Sequence, residues 1–373
     1  MTLAEKLDIT AGRPAGFDYM RLILALAVVS FHTVDLTYGP KLGHQVWDNP
    51  FYGSFAMWIV PAFFALSGFL VAGSLERCKT IAGFLYLRII RIFPALIVEI
   101  TLSALVLGPV MTALPLGKYF HDPLFYHYFL NCIGDIHYFL PGLFAHNPIP
   151  MMVNRQLWTV PFELQCYVIL GALGVLGIAH HRGLFAAVVF ALFGAVAFHL
   201  MLHHALQRTP LPGHALVTCF LFGVLAYNFR HIIPHSLFIA ILAFLAAVWL
   251  LWHPNGQFLA PLPVAYVVVF LGLTNPGRTA ILESGDYSYG IYLYSVPIQQ
   301  AVIATGWFPR NGWVDLAVSL PIVVLLAVCS WHFFEKRCLE LRRFRPSIDN
   351  LFGLTRPGKL VGHIYRLAVP AKV

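Results

Sequence analysis

The chain has 373 residues, 59% of them hydrophobic and 11% charged, against roughly 25% charged in a soluble domain. So few charges cannot cover a water-facing surface, which excludes an ordinary soluble domain and makes lipid the solvent. The net charge of +8 comes from Lys and Arg in short loops beside apolar spans, a pattern of membrane orientation; with no RNA- or DNA-binding motif beside them, nucleic acid is not an expected partner.

Met1 to Gly16 is polar, is broken by Pro14, and lacks the pattern of a cleaved signal peptide. The N-terminus is therefore expected in the cytoplasm, with the first span as an uncleaved anchor. About 20 residues of helix cross the hydrocarbon core, and ten stretches qualify as candidate spans: Asp18–Tyr38, Phe55–Leu75, Arg88–Leu114, Leu157–Ala179, Gly183–Leu202, Gly213–Phe229, Ser236–Trp252, Leu262–Thr274, Tyr287–Gly306 and Val314–Phe334. The eighth is short, and Pro261 and Pro263 let it start earlier or break. The expected fold is all-α, a polytopic transmembrane bundle of about ten spans. With the N-terminus inside, all of the 24 Lys and Arg except Lys41, Lys118, Arg155, Arg208 and Arg310 fall on the inner side, so both termini are expected in the cytoplasm. The longest connection, Pro115–Gln156, is rich in aromatics, Pro and His; its length suits a functional loop carrying short interfacial helices. Residues 1–345 read as one transmembrane domain, and 346–373 as a basic cytoplasmic tail placed to touch anionic lipid.

Charged groups inside spans are costly and so are candidates for function. Arg21 and His32 lie eleven residues apart in the first span, nearly on one face and roughly 16 Å apart along the axis. Asp35 follows a turn later, where a carboxylate can hold an imidazole tautomer; the plainer alternative is a His hydrogen-bonded to a neighbouring helix. Arg88 and Arg91 share a face at the start of the third span. Paired guanidinium groups suit a phosphate-rich ligand, and the plainer alternative is positive-inside anchoring. Pro94 is expected to distort that helix start. Trp158 marks the outer interface of the fourth span, with the acid Glu163 about a turn deeper, at a depth similar to that of His32. Asp286 to Ser295 places several hydroxyls at the inner start of the ninth span, as interhelical bonds or as the lining of a polar path. The six cysteines form no CxxC pair and the 17 histidines are scattered, so neither a disulfide framework nor a metal site is expected.

Taken together, these residues resemble the membrane acyltransferase-3 family, which O-acylates bacterial surface and exported glycans. The matching pieces are Arg21 with His32, the run Phe63-Phe64-Ala65-Leu66-Ser67-Gly68-Phe69-Leu70, Arg88 with Arg91, Leu157-Trp158-Thr159 with Glu163, Ser288-Tyr289 with Tyr292-Leu293, and Phe334-Glu335. They occur in family order from about residue 17 to 340. One departure is Tyr294-Ser295, where many members carry a His after the Tyr-Leu pair. The chain reads as the family's membrane core without an appended hydrolase-like domain.

The resemblance implies acetyl-CoA as donor, its phosphates meeting Arg88, Arg91 and Arg21. His32 is implied as general base or transient acyl carrier, oriented by Asp35 or Glu163. Ser67, Trp158, Ser288 and Tyr289 are implied as motif residues around the substrate. The acceptor is implied to be a glycan or lipid-linked sugar, with membrane lipids as the other partner and the bacterial inner membrane as the location. Direct transfer is favoured over a covalent intermediate, since no Ser or Cys stands at a clear spacing from His32. The competing class is a transporter or exporter of a polysaccharide intermediate or small solute.

Overall fold

The computed structural model describes residues 1–203, 212–253 and 256–352. Among these, ten helices have 12 residues or more: α1 (Gly16–Tyr38), α2 (Pro50–Glu76), α3 (Ile81–Leu102), α4 (Val160–Val175), α5 (Arg182–His203), α6 (Gly213–Asn228), α7 (Leu237–Trp252), α8 (Pro261–Gly272), α9 (Ser288–Thr305) and α10 (Gly312–Ser330). Six helical stretches, built on α1 to α5 and α10, are long and apolar enough to cross a membrane, while α6, α7 and α8 are apolar but shorter. α9 has 18 residues and is more polar, with Gln299 and Gln300 in its second half.

Consecutive helices alternate in direction, because the bonds at their ends sort into two groups. At one end, Gly16 N–H donates to the Thr274 carbonyl, Thr80 bonds Asp349, Arg230 reaches Glu76 and Arg91 reaches Asp286. At the other, Arg155 reaches Asp35, the Gly312 N–H reaches the Tyr38 hydroxyl and Asn147 binds Gln300. The first group is called the basic end below, and the second the loop end, since residues 115–156 fold there. That segment carries short helices at Leu116–His121 and Pro123–Tyr128, as expected, around the buried rings of Tyr119 and Tyr128. The first residues of the expected tail form a short helix, Arg345–Leu351, whose buried Asp349 takes the Thr80 hydroxyl at 2.5 Å. The rest of that tail, and Arg208, lie outside the described residues.

Apolar burial does not drive helices together where lipid is as apolar as they are, so close packing must do it. α2 and α6 cross through glycines. A Cβ on Gly68 would sit 1.9 Å from the Phe220 carbonyl oxygen, and one on Gly223 would sit 2.0 Å from that of Ala65. Each glycine thus lets the other helix's backbone approach.

The start of α3 departs from expectation. Thr80 caps it by accepting from the Gly83 N–H, so the helix begins at Ile81 rather than at Arg88. This draws Arg88 and Arg91 roughly 10–15 Å inside the helix. Pro94 lies within the helix and does not distort its start.

Candidate active site

Two cavities lie between α1, α2, α4 and α9, and α3 adds a wall to one of them. The one toward the basic end has a volume of about 180 Å³ and is lined by Arg21, Arg88, Arg91, Ser67, Glu163, Ser288 and Tyr289, among others. The one toward the loop end is larger, about 550 Å³, and its lining includes His32, Asp35, Trp47, Tyr138, Arg155 and Trp158. Both are walled by Val28, Val60, Thr159 and Tyr292. The cavities therefore meet at one junction, with two branched aliphatic side chains and two hydroxyls around it. The Thr159 and Tyr292 hydroxyls stand 2.7 Å apart, and the Tyr292 hydroxyl also donates to the Gln156 carbonyl.

The three arginines of the basic cavity differ in their partners. Arg91 donates to Asp286 at 2.5 Å, with Glu335 at 3.9 Å. Arg21 pairs with Asp18 and lies 3.4 Å from Asp286. Arg88 has no ion pair among the described residues. It donates to the Ser74 hydroxyl at 3.2 Å and lies about 6 Å from the ring centres of Phe84 and Tyr167. Burial opposes ionisation of Asp286, but the guanidinium groups of Arg21 and Arg91 and a 2.6 Å bond from Ser288 outweigh it and hold its carboxyl below the usual range. Two of the cations are thus paired in place, while Arg88, at a partly apolar wall, has no carboxylate within ion-pair distance among the described residues.

In the loop-end cavity the His32 ring forms no hydrogen bond with any described residue, which leaves its nitrogens available to whatever enters. Asp35 is bound by Arg155 Nη1 at 3.0 Å rather than by His32. A Cβ on Gly43 would fall 1.6 Å from Asp35 Oδ1, so the short helix Pro40–Asp48 closes directly over that carboxylate. Glu163 is also apart from His32: it lines the basic cavity and accepts from the Tyr167 hydroxyl at 2.5 Å. The structure therefore does not bring together the expected His32 and acid pairing. Ser67 and Ser288 face the basic cavity with Arg88, and neither lines the cavity of His32. Ser295, at the family's variant position, is fully buried, bonds back to the Tyr292 carbonyl at 2.9 Å and lines neither cavity.

The loop end is bolted by groups missed from the sequence. Glu99 of α3 is fully buried and accepts from Ser103 at 2.6 Å and from Asn154 Nδ2 at 3.0 and 3.1 Å. Asn154 directly precedes Arg155, so this bond fixes where Arg155 leaves the loop. Gln300 Nε2 holds the Ile149 and Met152 carbonyls at 2.9 and 2.8 Å. Glu99, an acid inside an apolar span, carries the same signal that singles out Glu163; Asn154 and Gln300 carry no comparable mark. No group of three or more His, Cys, Asp or Glu side chains able to hold a metal ion occurs among the described residues.

Residues 15–332 match the acyltransferase-3 family model, described as an acyltransferase domain. An O-acetyl transferase of Shigella phage Sf6 is 27% identical over 353 residues, covering 89% of this chain and 98% of the relative. Nodulation protein 10 of Rhizobium leguminosarum bv. viciae is 28% identical over 364 residues, covering 89% of this chain and 95% of the relative. No solved structure matches the chain.

Proposed function

The chain belongs to the acyltransferase-3 family and is a multi-pass membrane acyltransferase, and we propose that it moves an acetyl group from cytoplasmic acetyl-CoA to a sugar hydroxyl of a cell-surface or exported glycan. The observation that carries this reading is the pair of adjoining cavities, one holding a guanidinium without an ion pair among the described residues and the other an unbonded imidazole. The location is the bacterial inner membrane, with ten spans and both termini in the cytoplasm, so the basic end faces the donor. Support for this orientation is the concentration of Lys and Arg at that end.

A cavity of 180 Å³ is below the roughly 300–1,000 Å³ of a typical small-molecule site. It suits the thin pantetheine arm, while the nucleotide stays at the mouth. Arg88 is the primary phosphate contact, with Arg21 and Arg91 held in place by Asp286. The arm passes Ser67, Ser288 and Tyr289 and brings the thioester to the Thr159–Tyr292 junction. The acceptor sugar enters the loop-end cavity, where Trp47, Tyr138 and Trp158 offer ring faces and the Asp35–Arg155 pair offers polar edges.

His32 then takes the proton of the acceptor hydroxyl as its oxygen bonds to the thioester carbonyl carbon. The carbon–sulfur bond breaks, and the thiolate leaves and recovers a proton. Among the described residues, Thr159 is the one Ser, Thr or Cys hydroxyl or thiol lining the cavity of His32 and it is already bonded to Tyr292, which supports direct transfer over an acyl-enzyme. Asp35 and Glu163 shape the two cavities' charge rather than orient the imidazole.

Membranes containing the protein, supplied with acetyl-labelled acetyl-CoA, test the assignment. Label is expected in a glycan or lipid-linked sugar fraction. Solute uptake or efflux with no label in any acceptor would replace the enzyme reading with that of a carrier.

A further inference from the structure

A third space, separate from the two cavities of the proposed reaction, opens at the basic end between α2, α4, α5 and α6. Its volume is about 180 Å³, and its lining includes Glu76, Arg182, Asn228 and Arg230 beside Leu75 and Leu170, room for roughly six waters. Its one carboxylate is fully engaged: Glu76 accepts from Arg230 Nη2 at 3.0 and 3.1 Å and from the Tyr227 hydroxyl. Arg230 is further fixed over the Tyr227 ring, 4.0 Å from its centre. Two donors are left over. Asn228 Nδ2 is buried with no acceptor, and Arg182 has no ion pair among the described residues. Arg77 adds positive charge nearby, since its Nη1 and the Tyr227 ring both flank Gly73.

A buried amide donor and an unpaired guanidinium, beside a carboxylate already neutralised, call for an acceptor-rich anion. We propose that this pocket binds a phosphate oxyanion, supplied by the headgroup of an anionic phospholipid. Arg182 takes its oxygens from the mouth and Asn228 from within, while the acyl chains run along the exposed Leu176 and Leu184 just outside. Basic pockets between membrane helices hold lipid headgroups in this way. The inference does not depend on which acyl group or acceptor the enzyme uses.

Native mass spectrometry of the full-length protein, released from detergent after incubation with phosphatidylglycerol or phosphatidylcholine, tests it. The wild type is expected to retain phosphatidylglycerol and not phosphatidylcholine. Arg182→Gln is expected to lower that retention about fivefold, the worth of one cation near a lipid surface, and Asn228→Ala to lower it further. A parallel thermal-shift series on the wild type alone adds inorganic phosphate or phosphatidylglycerol, so the result does not hang on the variants folding. Protection by phosphatidylglycerol marks a lipid headgroup, and protection by inorganic phosphate alone marks a soluble phosphate at the same site. Equal retention of both lipids with no protection by either phosphate source overturns the proposal, as does undiminished retention by both folded variants.

Discussion

Arg88 stands apart from its neighbours because it is the arginine of the basic cavity without a carboxylate partner among the described residues. A guanidinium already matched by Asp286, as Arg91 is, has less to offer an incoming phosphate. Arg88→Gln is therefore expected to weaken acetyl-CoA binding about tenfold, the scale of one lost charge-assisted contact, while the protein's melting temperature in detergent hardly moves. Asp286→Asn is expected to do the reverse. It strips Arg91 of its 2.5 Å partner and costs about 2 kcal/mol of stability, less than a wholly dry pair would. Binding isotherms and melting curves on the two variants separate these roles; a strong loss of donor affinity from Asp286→Asn alone would reverse them. The pH dependence follows from the sign of the shift. Asp286 is held below its ordinary range, so its contribution is present above the unfolded carboxylate value. It is lost only as the pH falls through the depressed folded one, and stability should not fall between pH 8 and about 6 on its account.

At the scale of the helix, the crossing of α2 and α6 and the bolts of the loop end are the features that hold the cavities open. Gly68→Ala places a methyl 1.9 Å from a backbone oxygen, where only a shift of the whole helix relieves the clash. The expected loss is about 1–3 kcal/mol, read as a lower melting temperature with reduced transfer; an unchanged melting curve would mean the crossing is looser than described. Asn154→Ala removes both bonds to Glu99 and frees the chain before Arg155. Acceptor KM is expected to rise several-fold in this variant with donor KM unchanged, since the damage is confined to the loop-end cavity. A rise in donor KM instead would place Asn154's influence on the other side of the junction. Much of this scale was legible in the sequence: hydrophobic runs locate all ten helices, and Arg21, His32, Trp158 and Glu163 all line one or other cavity. The start of α3 was not, because Arg88 and Arg91 read as the edge of the span, although the apolar stretch from Ile81 to Leu87 directly follows the capping Thr80. Nor were the partners of Asp35 and Glu163. Asp35 meets Arg155 across 120 positions, and helix spacing reports only which residues share a face, not which helix stands opposite.

Over the whole molecule, ten helices among the described residues alternate in direction between the two ends, and six stretches meet the length and apolarity of a span by themselves. The short α6, α7 and α8 pack against neighbours in a bundle whose ends are tied by side chains, so they need not each be long enough to stand alone in lipid. Cysteine-accessibility labelling at Lys6, Lys118 and Glu340, each substituted by Cys, is expected to give one side for the first and third and the opposite side for the second. Labelling of the first and third from opposite sides would require an odd number of crossings. The proposed division of labour between the ends, donor at the basic end and acceptor at the loop end, rests on this arrangement and on the imidazole that lines the loop-end cavity. The most direct measurement is acetyl transfer from labelled acetyl-CoA by membranes carrying His32→Ala at normal abundance, alongside acetyl-CoA binding by the same variant. Transfer should disappear while donor binding persists; a variant that still acetylates its acceptor at the wild-type rate would contradict the account.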